Sequence, residues 1–511
     1  MLTLKSINRC LVMLCTLSLV ACSSSSLRTE RISSEYATAL APATTGVLAE
    51  MAGDIADKNG QDTSGFKLLD ESYDAMVWRL ALIDSATTSL DIQTYLWYPD
   101  NAGRLILARA VLAADRGVKV RLIIDDLLTI GLDQVMYELE NHENIEMKLF
   151  NPWEKRGLLS RSGEMIARME RLNTRMHDKL LIADGHAAIV GGRNIGDHYF
   201  GLSDAYNFHD LDLLGFGHIA DQANEMFDSF WNSDWVESAK NIDKEHDAQL
   251  AQELRDKVGG KNADAKALST FKIATQDWSK ELAAVMGELH IGRSEMIFDN
   301  TTEDKINQNV AAEMFNIMNL AQEELLVTNA YIIPGQAGID FIQKLTDRGV
   351  KVRILTNSLA SHDVPAVNSH YEEWRDDIIN AGAELYELRA DGEMQSLIDI
   401  PPNKGRFIGL HTKALVIDRD KVFIGSMNFD PRSFQINTEA GALVESAGLG
   451  EALAQVMERD MSPENAWQVL LNDKGKPYWV NSDETLERQP ARDSGQRIMN
   501  EIFKIFPKEQ F

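Results

Sequence analysis

The sequence predicts an α/β protein made of two halves of one duplicated unit, related by an internal pseudo-two-fold. Two repeated blocks carry that expectation. Asp115-Arg116-Gly117-Val118-Lys119-Val120-Arg121-Leu122 returns at an offset of 347 − 115 = 232 as Asp347-Arg348-Gly349-Val350-Lys351-Val352-Arg353-Ile354, with seven of eight positions identical. A second block, His177-Asp178-Lys179 through Asp184 and on to Gly191-Gly192-Arg193-Asn194, returns at an offset of 411 − 177 = 234 as His411-Thr412-Lys413 through Asp418 and Gly425-Ser426-Met427-Asn428. Two copies at so long a period exclude a solenoid.

Composition narrows the class. Against 51 Lys and Arg stand 78 Asp and Glu, a net charge of −27, in 511 residues that are 44% hydrophobic and 25% charged. Those values exclude a disordered chain, a collagen or a polytopic membrane protein. The acidity argues against a surface built to hold nucleic acid. All three cysteines, Cys10, Cys15 and Cys22, fall at the very start of the chain, so none is left for a disulfide core. Lys5 and Arg9 precede an apolar run over residues 10–20, which has the form of a secretory signal and is short for a permanent membrane helix. Leu19-Val20-Ala21-Cys22 resembles the lipobox of bacterial lipoproteins, which implies cleavage after residue 21 and lipid on Cys22. Residues 22–62, beginning with Ser23 to Ser26, then read as a flexible tether. By resemblance to enterobacterial sorting, Ser23 implies the outer membrane, facing the periplasm.

The first half is expected over residues 63–236. Leu90 to Tyr95 reads as a strand, a helix carrying Leu105, Ala108 and Leu112 stops at Gly117, and alternating apolar residues restart a strand. The second half, 293–460, repeats this from Leu325 to Tyr331 onward. Between them, residues 237–292 are charged, Ala-rich and helical in pattern, and read as a surface connector. Residues 461–511 form a tail with Trp467 and Trp479. Its last segment, with Ile498, Met499, Ile502, Phe503 and Phe506, reads as an amphipathic helix, more often docked on its own domain than a membrane contact.

The second block carries the chemistry. Residues i and i+2 of a strand share a face, so His177 and Lys179 point together, as do His411 and Lys413. The apolar run to Asp184 or Asp418 buries each strand. Gly-Gly or Gly-Ser then lets the backbone approach a ligand closely, and Asn194 and Asn428 can donate hydrogen bonds. Two imidazoles, two ammonium groups and two carboxamides suit a tetrahedral phosphodiester: Lys179, Lys413, Asn194 and Asn428 bind the non-bridging oxygens. One histidine attacks phosphorus and the other serves as acid and base. A carboxylate on the far ring nitrogen fixes the tautomer; Glu439 and Asp210 are the candidates, with Asp212 as alternative to Asp210. Asp178 and Thr412, between His and Lys, are given no role. Arg193 reads equally as a phosphate ligand or a surface ion-pair partner. Lys155, Arg156, Arg161, Arg168, Arg171 and Arg175 form a basic stretch that either meets anionic headgroups or lies on a solvated helix burying Met165, Met169 and Leu172. The other histidines (His142, His186, His198, His209, His218, His246, His290, His362 and His370) lack metal-ligand spacing.

These duplicated blocks resemble the signature of the phospholipase D superfamily, over residues 66–460. The resemblance implies two α/β/α sandwiches with the active site at their interface, no metal or other cofactor, His177 as nucleophile and His411 as acid and base. It implies an orienting role for Glu439, while Asp184 and Asp418, although part of the candidate catalytic set, look more structural. Gly191 to Asp197, Asp210-Leu211-Asp212 and Phe429-Asp430-Pro431-Arg432-Ser433 look like the bacterial cardiolipin synthase C branch. That implies phosphatidyl transfer to phosphatidylglycerol through a phosphohistidine, with phospholipids (phosphatidylglycerol, phosphatidylethanolamine) and a membrane surface as partners. The alternatives are a phospholipase D hydrolase releasing phosphatidic acid, an exported nuclease, and a lipoprotein scaffold that keeps the fold without activity.

Overall fold

Runs of Val, Ile and Leu become the central strands of the protein because helices cover them on both faces; every residue of the strand Ser89–Thr94 is buried. The computed structural model describes residues 38–156, 168–242, 266–301 and 306–504, with Glu164 and Gln249. The expected signal, Cys22 and the start of the tether lie outside the described residues.

The first half contributes β1 (Ser64–Leu69), β2 (Ser89–Thr94), β3 (Lys119–Asp125), β4 (Ile145–Phe150), β5 (Leu180–Ala183), β6 (Ala187–Gly191), β7 (Asn207–His209), β8 (Asp212–Gly217) and β9 (Val236–Ser238). Next come β10 (His290–Phe298) and the short pair β11 (Asn300–Thr301) and β12 (Ile306–Asn307). The second half continues with β13 (Glu324–Asn329), β14 (Lys351–Asn357), β15 (Glu384–Leu388), β16 (Ile408–Leu410) and β17 (Lys413–Ile417). It ends with β18 (Lys421–Gly425), β19 (Ala440–Glu445), β20 (Ala466–Leu471), β21 (Pro477–Val480) and β22 (Thr485–Leu486).

Pairing gives the order β9-β4-β3-β2-β5-β6-β8-β1 in the first half, with β2, β3 and β4 parallel and the other pairs antiparallel. The second repeats it as β22-β21-β20-β15-β14-β13-β17-β18-β19-β10, with β13, β14 and β15 parallel. Antiparallel pairing of β1 with β10, Ser64 opposite Gly292 and Phe66 opposite His290, runs one sheet into the other. A parallel pair, β7 with β16, and a bridge between Met176 and Thr438 tie the halves again beside the functional motifs.

The repeated Gly sets the helix-to-strand turn in both copies. Asn101–Asp115 and Gly335–Asp347 end before Gly117 and Gly349, whose φ values of 98° and 87° are left-handed and strained for a residue with a Cβ. Each half then buries its own core, around Leu90, Ile106 and Leu122 in one and Leu325, Leu345 and Ile354 in the other.

Three expected boundaries differ from what the structure contains. The last part of the expected tether is the helix Val47–Asn59, which buries Ala52 and sends Leu48, Met51 and Ile55 into the first core. Apolar residues at i, i+3, i+4 and i+7 there form a helical face. The expected surface connector likewise sends Leu268, Phe271, Trp278, Leu282 and Val285 into that core. The expected tail supplies β20, whose Trp467 repeats Trp235 before β9 (467 − 235 = 232); β20 pairs antiparallel with β15 as β9 pairs with β4, and β21 and β22 extend the second sheet beyond it.

Candidate active site

β5 runs antiparallel to β2, with Leu180 opposite Gln93, so the His-x-Lys segment before β5 stands at the C-terminal edge of the parallel strands. The second copy repeats this, with Lys413 opposite Asn329 at the end of β13. Loops at that edge are free to vary while the strands hold their geometry, which makes it the natural place for a site.

His177 and His411 are held by carboxylates from opposite halves. His177 Nδ1 lies 2.9 Å from Glu439 Oε2, and His411 Nδ1 lies 2.6 Å from Asp210 Oδ2. The backbone crosses in the same sense: His177 N donates to Thr438 O at 3.0 Å and His411 N donates to His209 O at 2.8 Å. With Nδ1–H donated to a carboxylate, each Nε2 keeps its lone pair for substrate. All four groups are buried.

Lys179 and Lys413 each donate from Nζ to the carbonyl of the histidine two residues before, and both are buried. Burial lowers Lys179 to about 7 and Lys413 to about 8, against the pull of Glu439 on the first and of Asp210 on the second. Burial, and then the two ammonium groups, hold both imidazoles well below the ordinary histidine range. Burial lifts Glu439 to about 7 and raises Asp210, while the lysines oppose both shifts. Both histidines, both lysines and both carboxylates thus feel one another's charge. Aromatic rings wall the imidazoles: Tyr95 meets His177 edge-on at 5.1 Å, and Tyr199 and Phe208 each lie 5.1 Å from His411.

The two carboxamides are not equivalent. Asn194 accepts from Leu96 N at 3.2 Å and donates to Tyr199 OH at 2.8 Å, so it braces the wall around His411. Asn428 is buried with its Oδ1 unpartnered. Asp184 and Asp418 take no place in the site. Asp184 accepts from the backbone of Thr87, Thr88 and Ser89, and Asp418 from Gln322, Glu323 and Glu324, so each ties down the loop that enters β2 or β13. Their catalytic assignment is corrected to a structural one. Gly191 and Gly192 make room for protein rather than ligand: a Cβ at either would come within 2.2 Å of Asp212 Oδ1 or Asp210 Oδ1. Arg193 is neither a phosphate ligand nor a surface pair; it is buried on Asp212, which also takes Arg79 and is thereby removed as the orienting carboxylate. In the basic stretch, Arg156 pairs with Asp133, Arg168 with Glu164 and Arg175 with Asp125, so these charges meet protein carboxylates instead of headgroups. Met169 is exposed and Leu172 buried; Arg161 and Met165 lie outside the described residues.

A family model described as cardiolipin synthase, PLD-like domain, matches residues 80–231 and 314–461, one match over each half. The chain belongs to this family. It is 34% identical over 455 residues to cardiolipin synthase C of Escherichia coli, covering 86% of this chain and 94% of the relative. An uncharacterized protein of Helicobacter pylori is 29% identical over 471 residues, 89% of this chain and 90% of the other. Among solved structures, phosphatidylserine synthase from Haemophilus influenzae shares the fold at 14% identity, with a TM-score of 0.51 over 80% of this chain and 90% of that one.

Within this cardiolipin synthase-like, phospholipase D-type frame, several supporting residues escape motif reading. Asp125 accepts from Met176 N at 2.9 Å, and Asn357 accepts from Leu410 N at 2.8 Å. Each fixes the residue before a motif histidine, and the two stand 357 − 125 = 232 apart. Following the first repeated block three residues further would have exposed them. Asp178 and Thr412, first given no role, face away from the site and grip the other half: Thr438 Oγ1 donates to Asp178 at 2.7 Å, and Thr412 Oγ1 donates to His209 O at 3.3 Å. Ser426 Oγ donates to Glu439, filling the place where the first half has Gly192. No sequence signal marks these contacts.

Proposed function

We propose that this chain is a phosphatidyltransferase that forms cardiolipin through a phosphohistidine on His177. The observation that carries the reading is the crossed pairing of His177 with Glu439 and of His411 with Asp210 beside two buried lysines. His177 Nε2 attacks the phosphorus of the donor lipid, the bond from phosphorus to the headgroup oxygen breaks, and His411 gives that oxygen a proton. The acceptor hydroxyl then loses its proton to His411, and its oxygen displaces His177 from phosphorus. Burial and the lysines keep both imidazoles neutral in the empty site, which suits the nucleophile. A bound phosphodiester anion offsets the lysines and lets His411 take up the proton it must donate. Lys179, Lys413 and Asn428 stabilise the charge that builds on the non-bridging oxygens. Phosphatidylglycerol is the proposed acceptor, and the similarity to cardiolipin synthase C supports that choice.

Purified protein given phosphatidylglycerol, with and without phosphatidylethanolamine, should yield cardiolipin, and His411→Asn should yield none. Phosphatidic acid as the sole product would replace the transferase with a hydrolase. Residues 1–21 and Cys22 are proposed as a lipoprotein signal and lipid anchor holding the enzyme on the outer membrane. Lipid label incorporated into the chain should be lost in Cys22→Ser.

A further inference from the structure

We propose that the rim of the active-site mouth is a bilayer-docking surface with one apolar patch from each half. This rests on the phosphatidyltransferase reading for its occupant, a phospholipid bilayer, and on the following geometry for its place. In the second half, the helix Ser494–Phe503 is turned against the usual sense. Its polar Gln496 and Asn500 are buried, while Ile498, Met499 and Ile502 are 61%, 44% and 45% exposed. The expected docked helix is therefore docked by its polar face: Gln496 Nε2 donates to Leu359 O, and Asn500 Oδ1 accepts from Asn368 at 2.7 Å.

The first half makes the same inversion in a loop. Residues 126–132 follow β3, and their polar members turn inward, with Arg156 Nη2 donating to Thr129 Oγ1 at 3.2 Å and Arg156 also paired to Asp126. Leu128 and Ile130 are left 42% and 46% exposed. Both patches stand on the residue that steadies a motif histidine. The loop leaves from Asp125, and the helix sits on the loop that leaves from Asn357, the matching end of β14.

A chain of rings links the helix to the site. The Arg492 guanidinium lies 3.7 Å from the Phe407 ring centroid; Phe407 stacks on Tyr206, Tyr206 meets Phe208, and Phe208 lies against His411. Exposed apolar side chains beyond the ends of β3 and β14, at the edge of each half where the motif histidines stand, fit a flat apolar phase that both sides reach at once. A patch on one side alone would suit a protein partner equally. The apolar patches sit on a ten-residue helix and a loop, both too short to span, so this contact lies on the bilayer. In a chain of net charge −27 the contact gains nothing from anionic headgroups and has to outweigh a general repulsion, so binding should not weaken as salt screens that repulsion.

The test uses the full-length chain with one added cysteine carrying an environment-sensitive fluorophore, on vesicles of phosphatidylglycerol and phosphatidylethanolamine with brominated acyl chains. Label at Met499→Cys and at Ile130→Cys should be quenched. Label at Asp473→Cys, in the β20–β21 turn at the opposite edge of the sheet, should not. The chain without an added cysteine corrects for label on Cys10, Cys15 and Cys22. No quenching at 499 or at 130, or equal quenching at all three positions, overturns the proposal. In a second arm, Ile498→Asp, Met499→Asp and Ile502→Asp together should lower turnover of vesicle phospholipid roughly tenfold and leave a short-chain phospholipid below its micellar concentration unaffected. Equal loss on both substrates overturns it. If the unaltered protein turns over neither lipid, the transferase reading fails while the quenching still decides the docking.

Discussion

In the first half the carboxylate that serves the site is the short Asp210, lying against Gly192 where a Cβ would come within 2.2 Å of its Oδ1. In the second half it is the longer Glu439, seated on the hydroxyl of Ser426. Each reaches out of its own half to hold the other's histidine. The difference teaches that the duplicated halves are not two sites, nor one site with a spare. A half on its own would leave its carboxylate without its partner and its histidine without a fixed tautomer. The chain spacing between partners, 439 − 177 = 262 for one pair and 411 − 210 = 201 for the other, makes the interface itself the device that assembles them.

The largest effects should come from the histidines. His177→Ala and His411→Ala should each cost about ten-thousandfold in turnover, and the double variant little more, because residues that act as a unit do not add. Protein denatured at mildly alkaline pH, where a P–N bond survives, should carry labelled phosphorus from the phospholipid on His177. Phosphate recovered on His411 instead would invert the roles of the halves.

Next come the crossed carboxylates, at about a hundredfold to ten-thousandfold each. The crossing predicts an unusual pairing of phenotypes. Asp210→Asn, although in the first half, should behave like loss of His411, and its first-step burst of leaving group, though not its full turnover, should be rescued by a substrate whose leaving group needs no proton. Glu439→Gln, although in the second, should behave like loss of His177 and gain nothing from that substrate. Rescue in the reverse order would break the comparison.

A smaller, graded effect should appear with pH. The lysines are depressed to about 7 and about 8, so they are charged below those values and lose charge as pH rises through them. With free enzyme, kcat/KM should therefore fall on the alkaline side from about pH 7 to 8, by up to tenfold per pH unit for each proton lost. A bound phosphate anion stabilises the ammonium forms, so the matching limb in kcat should lie at higher pH. A kcat/KM that stays flat to about pH 9 would remove the lysines as the phosphate clamp.

Much of this was legible in the residues. The seven-of-eight repeat and the paired His-x-Lys segments predicted two halves, and both the family match and the strand orders have that form. Polar residues repeated at one offset report a shared chemistry directly. The crossing was not legible, because contacts between positions so far apart in the chain leave no local pattern. Gly191 and Gly192 were misread for a related reason: a glycine signals a close approach but not by what, and here the neighbour is Asp212 or Asp210. In the helix Ser494–Phe503 the stripe alone predicts an apolar face turned inward, the usual arrangement, whereas hydrogen bonds of Gln496 and Asn500 turn it outward. Periodicity gives the stripe, and only the partners decide which way it faces.

The smallest effect bears most directly on how unlike the two halves are. Ser426 Oγ donates to Glu439 and accepts from Ala440 N at 3.0 Å, so Ser426→Ala leaves Glu439 with one partner fewer in a buried place. A hydrogen bond to a charged group contributes about 1.5–3 kcal/mol, part of which the longer Glu side chain can recover by shifting toward Lys179. Turnover should fall about tenfold, and the Glu439 carboxyl, already lifted to about 7 by burial, should move higher and bring the acid side of the profile with it. The reciprocal change, Gly192→Ser, has no such latitude, since its Cβ alone meets Asp210 Oδ1. It should displace the carboxylate and resemble Asp210→Asn. If instead both exchanges were equally mild, the site would tolerate either support, and the asymmetry between Asp210 and Glu439 would be incidental to catalysis.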